Sequence, residues 1–294
     1  MIFAINIDIK IPDINIKLVL EKINMYETIK RRKSIRSYEN KSLSKADRKK
    51  VNEIIDLTEN KKGPFNHKIR LFFIDSIDKK KNKIGTYGFI KNPPAFIGGI
   101  VKNDFKGLID FGFLFEEVIL RLTKSNLGTV WLGGTYKRSD FNVELNDKEI
   151  IAAVSPVGYP TNKSFREKII RSFAQANKRK PFDELFFYSE KLNPIKKNHK
   201  YYKYLKAVQH GPSASNKQPW RIVLIEDTFH LYLKRTKGYG NTLKIDIQAI
   251  DMGIALSHLY LTLKEDNQSP EFINKKPLKL DNSEYILSVQ IKKV

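Results

Sequence analysis

Two stretches of this sequence answer one another. "IDFGFLFEEVILRLTKSN" (residues 109–126) and "IDMGIALSHLYLTLKEDN" (residues 250–267) hold an Ile, an Asp, a Gly and a terminal Asn in register, 141 residues apart. A repeat constrains a fold more than any local pattern, because each copy implies a similar unit. Two greasy helices can match by chance, so the order of their surroundings matters. "RLFFID" from Arg70 and "RIVLIED" from Arg221 each follow a Gly-Pro step, at Gly63-Pro64 and Gly211-Pro212. Both halves then run helix, Gly-Pro turn, strand, connector, buried helix. The chain reads as two related halves in one polypeptide.

The boundaries expected are an N-terminal appendage over residues 1–24, a first half over 25–191 and a second, truncated half over 192–294. A chain of 294 residues with 41% hydrophobic content can bury the core this needs. It has no Cys, which excludes disulfides, thiolate nucleophiles and Cys metal sites. Its five His form no i, i+4 pair and no tight cluster with carboxylates, so no metal is expected. The start lacks a basic n-region, and Asp8, Lys10 and Asp13 break its apolar run, so it is not a secretory signal. No segment reaches the roughly 18–20 uncharged residues of a membrane span. A cytoplasmic protein without a membrane partner is the expectation. The net charge of +22 invites a nucleic-acid reading. Lys is scattered along the whole chain, however, with no basic helix carrying interleaved aromatics, so no nucleic-acid partner is expected.

Periodicity and punctuation predict an edge strand within residues 5–16 and helices over 18–33 and 42–60. Ser44 caps the second helix, with Asp47 three residues on as an acidic capping box. "IRLFFID", "PPAFIGGIV" and "EIIAAVSPVGYP" read as strands, and "TVWLGGTY" as a strand with a glycine turn. The helix over 107–128 is apolar around nearly its whole circumference, so it is buried, and Gly128 is expected to end it. Residues 162–191 are basic and poorly periodic, like a connector. A helix over 201–209, a hairpin of strands 221–225 and 229–234, a helix over 244–266 and a last strand, "YILSVQIKK", complete the chain.

Two motifs carry chemistry. "RRKSIRSYEN" (residues 31–40) packs three Arg, a Lys and a Ser into six positions. Arg offers a planar donor fork to phosphate and Ser a neutral donor, although alone the motif also suits a solvated basic turn. "HGPSASNKQPWRIVLIED" (residues 210–227) puts a Gly-Pro step, small polar residues and an amide in front of a greasy strand. Together, "RRKSIRSY" and "GPSASNKQPWRIVLI" resemble the FMN-dependent nitroreductase family. "GTVWLGGTY", "AAVSPVGYP" and "KRKPFDEL" resemble its later segments in order. The resemblance covers residues 26–188 as one nearly complete unit and 200–291 as a second, truncated one. It is closest to a single-chain variety with two nitroreductase-like halves.

The fold this implies is α+β, with a mixed sheet packed by helices in each half. The resemblance assigns the FMN phosphate to Arg32, with Lys33 and Ser34 on the phosphate and ribityl side, and the pyrimidine edge of the flavin to Arg36. Pro212, Ser213, Ala214 and Ser215 would pass along the ring, with Asn216 bonding it or the ribityl chain. Gln218 and Trp220 shape and brace the turn, with Trp220 equally readable as core. Leu132, Gly133 and Gly134 match the turn whose backbone N–H faces flavin N5. Many relatives have an acidic residue before that glycine, where this chain has Leu132. Arg179 and Lys180 match a late basic pair that reaches the phosphate.

The activity implied is hydride transfer from NAD(P)H through FMN to a small acceptor such as a nitroaromatic or quinone. The alternative from another class is a flavin-binding sensor or carrier without turnover. Flavin carries the redox work while the protein binds and tunes it, so no catalytic triad or carboxylate pair is needed, and none is found. Only the first half has the basic motif and only the second has "PSASNKQPW". A monomer with one site between its halves is therefore expected.

Overall fold

In the computed structural model, the described residues are 24–75, 84–161, 178–239, 244–275 and 278–292. The expected edge strand within 5–16, and residues 162–177 of the expected connector, lie outside them. The first helix, α1 (Met25–Arg31), starts behind Asn24, whose side chain accepts the Glu27 N–H at 2.9 Å. Residues 18–23 of the helix expected over 18–33 lie outside the described residues. In α2 (Lys45–Glu59), Ser44 Oγ accepts the Asp47 N–H at 3.1 Å, as expected. The return half of the capping box is different. Asp47 takes the Ser44 hydroxyl, and Ser44 N–H goes to Tyr159 OH at 3.0 Å. A shorter Asp cannot reach back as Glu does, and Tyr159 supplies the missing acceptor. Ser44→Ala should lower stability by about 1 kcal/mol, measurable by urea denaturation; no change would show that Tyr159 alone closes the cap.

Two sheets repeat one order through four antiparallel strands each. The first runs β1 (Arg70–Asp75), β2 (Ala95–Lys102), β4 (Glu149–Gly158), β3 (Gly128–Thr129). The second runs β7 (Trp220–Ile225), β8 (Thr228–Leu233), β10 (Glu284–Ile291), β9 (Pro270–Ile273). Outside β7 lie β5 (Phe186–Tyr188) and β6 (Asn193–Pro194). β5 pairs in parallel with β7, Phe187 opposite Val223. This strand falls within the stretch read as a connector; three residues are too few to show a period. β9 begins with a proline, which an edge strand tolerates.

The helices α3 (Phe105–Lys124) and α5 (Ile247–Glu265) are the two repeat segments. Each is capped by an Asp: Asp104 accepts Gly107 N–H, and Asp246 accepts Ala249 N–H. Each ends on its aligned Asn, with φ of +60° at Asn126 and +57° at Asn267. Asn126 N–H reaches Thr123 O and Asn267 N–H reaches Lys264 O, both at 3.1 Å. Leu127 N–H reaches Leu122 O and Gln268 N–H reaches Leu263 O, both at 3.0 Å. The last of these closes the turn in the manner of a left-handed helix cap. Asn126, not Gly128, thus ends α3; Gly128 opens β3. The two helices cross with backbones in contact. A Cβ on Gly112 would stand 2.2 Å from Ile250 O, and one on Gly253 would stand 2.1 Å from Ile109 O. Each glycine meets the other helix's glycine and Ile carbonyl, so the contact is reciprocal. α4 (Tyr202–His210) packs on α5 and leads into the second Gly-Pro turn. No helix among the described residues is long and apolar enough to cross a membrane.

Candidate functional site

After α1 the chain leaves the helix at Arg32, which has an extended ψ of 128°. It then runs beside β3: Ser34 bridges Thr129, and Ile35 N–H donates to Thr129 O at 2.9 Å. Extended backbone turns alternate side chains to one face. Arg32, Ser34 and Arg36 therefore line a single cleft, while Lys33 points away and is exposed. The resemblance assigned Lys33 to the same ligand as Arg32, Ser34 and Arg36; the period of two separates it from them.

The next wall comes from the segment after β3. Val130, Trp131 and Gly133 face the cleft. Leu132 lies behind, buried, its N–H donated to Val154 O at 2.9 Å and its own carbonyl accepting Val154 N–H at 3.1 Å. Gly134 is exposed and outside the lining. Of the three residues assigned to the turn, the structure brings only Gly133 to the cleft. A Cβ there would sit 2.7 Å from Ile247 Cδ1, so the end of that side chain would have to shift to admit it.

The opposite wall belongs to the second half. Pro212, Ser213, Ala214, Ser215 and Asn216 line the cleft, as does the α5 face of Ile247, Ile250, Asp251 and Ile254. The turn is strained: φ is +45° at Ser215, +54° at Asn216 and +48° at Gln218. Such backbone costs about 1–3 kcal/mol per residue, and the surroundings fix it. Ser213 Oγ accepts Gln218 N–H at 2.9 Å, and Asp251 Oδ1 accepts Ala214 N–H at 2.9 Å. Gln218 Oε1 accepts Lys180 N–H at 2.9 Å, and Asn216 Nδ2 donates to Lys178 O at 2.7 Å. Gln218 and Lys180 thus brace the turn from outside the cleft, and Trp220 is core, fully buried in β7. Small side chains leave the turn's backbone as the surface a ligand meets.

Arg179 joins the cleft from the segment between the halves. Its guanidinium donates to His210 O at 3.2 Å and Asn216 Oδ1 at 3.4 Å. Burial and then the neighbouring Arg32 charge both disfavour its cationic form. Two guanidiniums drawn this close, with Ser34 beside them, make a site for an anion. The cleft encloses about 190 Å³ and is open to solvent at its mouth.

Two acidic groups had no local signal. Glu116, fully buried on α3, accepts Trp131 Nε1–H at 2.7 Å and faces His258 Nε2 at 2.9 Å. It lies 4.0 Å from Arg32 Nε, and so backs the basic wall. His258 Nδ1 faces Ala207 O at 2.8 Å. Both ring nitrogens face acceptors, so the pair must hold a proton between them. Asp251 is the second. Burial pushes its carboxyl well above the usual carboxylate range; the Ala214 N–H opposes this and the Asp246 charge adds to it. The only hint in the sequence was its place in the repeat, aligned with Asp110.

A model of one family, described as "Putative TM nitroreductase", matches residues 24–263. The chain belongs to this family. Among solved structures it is similar to a "putative nitroreductase" from Thermotoga maritima, at 20% identity over 92% of this chain and 94% of that one, with a TM-score of 0.56. This nitroreductase-like fold, α+β with two sheets, therefore extends over nearly the whole length of both. A nitroreductase family protein from Clostridium novyi matches at 23% identity over 48% of this chain and 87% of that one (TM-score 0.39). An FMN-dependent nitroreductase from Clostridium difficile matches at 19% over 47% and 88% (TM-score 0.35). The comparison with curated proteins gives no match.

Proposed function

We propose that this nitroreductase-family chain binds FMN in the cleft between its halves. It would act as an oxidoreductase, taking hydride from NAD(P)H and passing it to a small acceptor such as a nitroaromatic or quinone. The observation that carries the reading is the convergence of Arg32, Arg36 and Arg179 on the small-residue turn Pro212–Asn216 across one cleft. The residues fit the cofactor's chemistry. Arg32, Arg179 and Ser34 suit a phosphate dianion, which relieves the repulsion between the two guanidiniums. The turn backbone and the Ile247, Ile250 and Ile254 face suit a flat ring. Bound flavin supplies a two-electron carrier. Arg36 places a fixed positive charge in the cleft, which stabilises negative charge gained on reduction.

The second half lacks a basic motif, and the first half's turn is closed. Asp110 takes Phe65 N–H and His67 N–H, each at 2.9 Å, and His67 Nδ1 at 2.9 Å, so both of its oxygens are spent within that turn. We therefore infer one FMN per chain, in a monomer. Flavin released on denaturation, with light scattering of the holoprotein, tests this. The expected result is FMN at a ratio of one to a monomeric chain; two flavins per chain, or flavin held only by dimers, would overturn it. Steady-state oxidation of NADH and NADPH with menadione or a nitroaromatic then tests turnover. Bound FMN that neither nucleotide reduces would leave a carrier instead.

A further inference from the structure

Asp251 and Asp110 occupy the same place in the repeat, and each accepts a backbone N–H from its own Gly-Pro turn. They differ in what is left over. Both oxygens of Asp110 are occupied, by Phe65 and by His67. Asp251 uses Oδ1 for Ala214 N–H, while its Oδ2 is buried and has no hydrogen-bond partner. The residue is 2% exposed and lines the cleft. A buried polar atom without a partner costs about 1–3 kcal/mol. The repeat does not require that cost, because Asp110 avoids it.

We propose that Asp251 is the acid of this cleft, a neutral carboxyl group whose Oδ2–H donates to the bound ligand and delivers the proton that accompanies reduction of the acceptor. The inference rests on the oxidoreductase reading above. The step balances for a quinone. The acceptor would gain a hydride, two electrons with their proton, from reduced flavin, which would be oxidised, so one further proton completes the hydroquinone. The Oδ2–H bond breaks and its proton goes to the quinone oxygen. Asp251, left as a carboxylate, regains a proton from water through the open mouth of the cleft. The charged groups around it agree with a neutral acid. Arg32, Arg36 and Arg179 share the cleft, yet none hydrogen-bonds Oδ2. On its own helix Asp246 repels a carboxylate, and the Tyr239 hydroxyl on the adjoining loop is spent on Ser215 Oγ at 2.9 Å. His258, further along α5, is occupied by Glu116 and Ala207.

Asp251→Asn tests the proposal, because Asn keeps an acceptor for Ala214 N–H and puts a neutral donor where Oδ2–H stood, but cannot release a proton. FMN affinity should stay within about 3-fold and reduction by NAD(P)H should persist. Reoxidation by menadione, followed by stopped flow, should slow at least about 100-fold, as when a general acid is lost. Its decline with rising pH, as the wild-type acid ionises, should flatten. A second readout needs neither flavin nor turnover. The infrared difference between wild type and Asp251→Asn at neutral pH should show the carbonyl stretch of a protonated carboxylic acid. Absence of that band, or unchanged reoxidation, overturns the proposal. So does a loss of FMN in Asp251→Asn as large as in Asp251→Ala, which would mark an ionised acceptor. If Asn misfolds, Asp251→Thr, whose hydroxyl can still accept Ala214 N–H, replaces it with the same outcomes. A protein without flavin would sink the oxidoreductase reading by itself, while the infrared band still reports whether Asp251 is protonated.

Discussion

Gly253→Ala should destabilise the protein severely, by about 3 kcal/mol or more. Two effects oppose each other here. Replacing a helical Gly by Ala normally gains about 1 kcal/mol. At Gly253, however, the new methyl would stand 2.1 Å from Ile109 O, 2.6 Å from Phe113 N and 2.8 Å from Gly112 Cα. All three are backbone atoms of α3, so no rotamer change relieves them, and the helices must separate. Overpacking of this kind costs about 1–3 kcal/mol in ordinary cores. Here it also opens the contact between α3 and α5, both buried along most of their length. The steric term wins. At about 2–4 °C per kcal/mol for a domain of this size, the melting temperature should fall by about 6–12 °C. Since α5 carries one wall of the cleft, flavin affinity should fall with it. A melting temperature that rises would show that propensity decides and that the crossing tolerates a wider spacing.

That crossing was legible in the sequence only as a coincidence of letters. Asp, Gly and Asn in register across 141 residues proved to be a turn anchor, a helix contact and a helix terminus in each half. The strands and the long helices were readable because periodicity and glycine or proline punctuation mark them. What escaped was short or non-local. β5 holds to the second sheet through three residues whose pairing partner lies more than thirty positions downstream. Lys33 was grouped with its neighbours by resemblance, whereas the extended backbone sends it to the opposite face. Leu132 and Gly134 were grouped with Gly133 by resemblance, whereas a bridge to Val154 consumes the backbone of Leu132. Glu116 and Asp251 sit in apolar helices, where nothing nearby in sequence reveals that they back or line a cleft. Only tertiary placement gives them a role.

Arg32→Ala should weaken FMN binding by about 2–3 kcal/mol, the loss of a charge-assisted contact to phosphate, or roughly 30- to 150-fold in Kd. Riboflavin, which has no phosphate, should bind wild type and variant almost equally. The comparison separates two readings of the basic segment. A solvated turn would leave both ligands unaffected, and a purely structural arginine would weaken both alike. The geometry already argues against solvation, since Arg32 is 9% exposed and faces the cleft with Arg179 as its charged neighbour. It also limits collateral damage, because Glu116 keeps Trp131 and His258 as partners when Arg32 is gone. Arg179→Ala should add to the loss. The two effects should not sum, because removing either guanidinium relieves the repulsion that the phosphate otherwise offsets. In the double variant FMN should bind no better than riboflavin, and its affinity should lose most of its dependence on salt. If FMN still bound the double variant much more tightly than riboflavin, the phosphate would have to lie elsewhere in the fold.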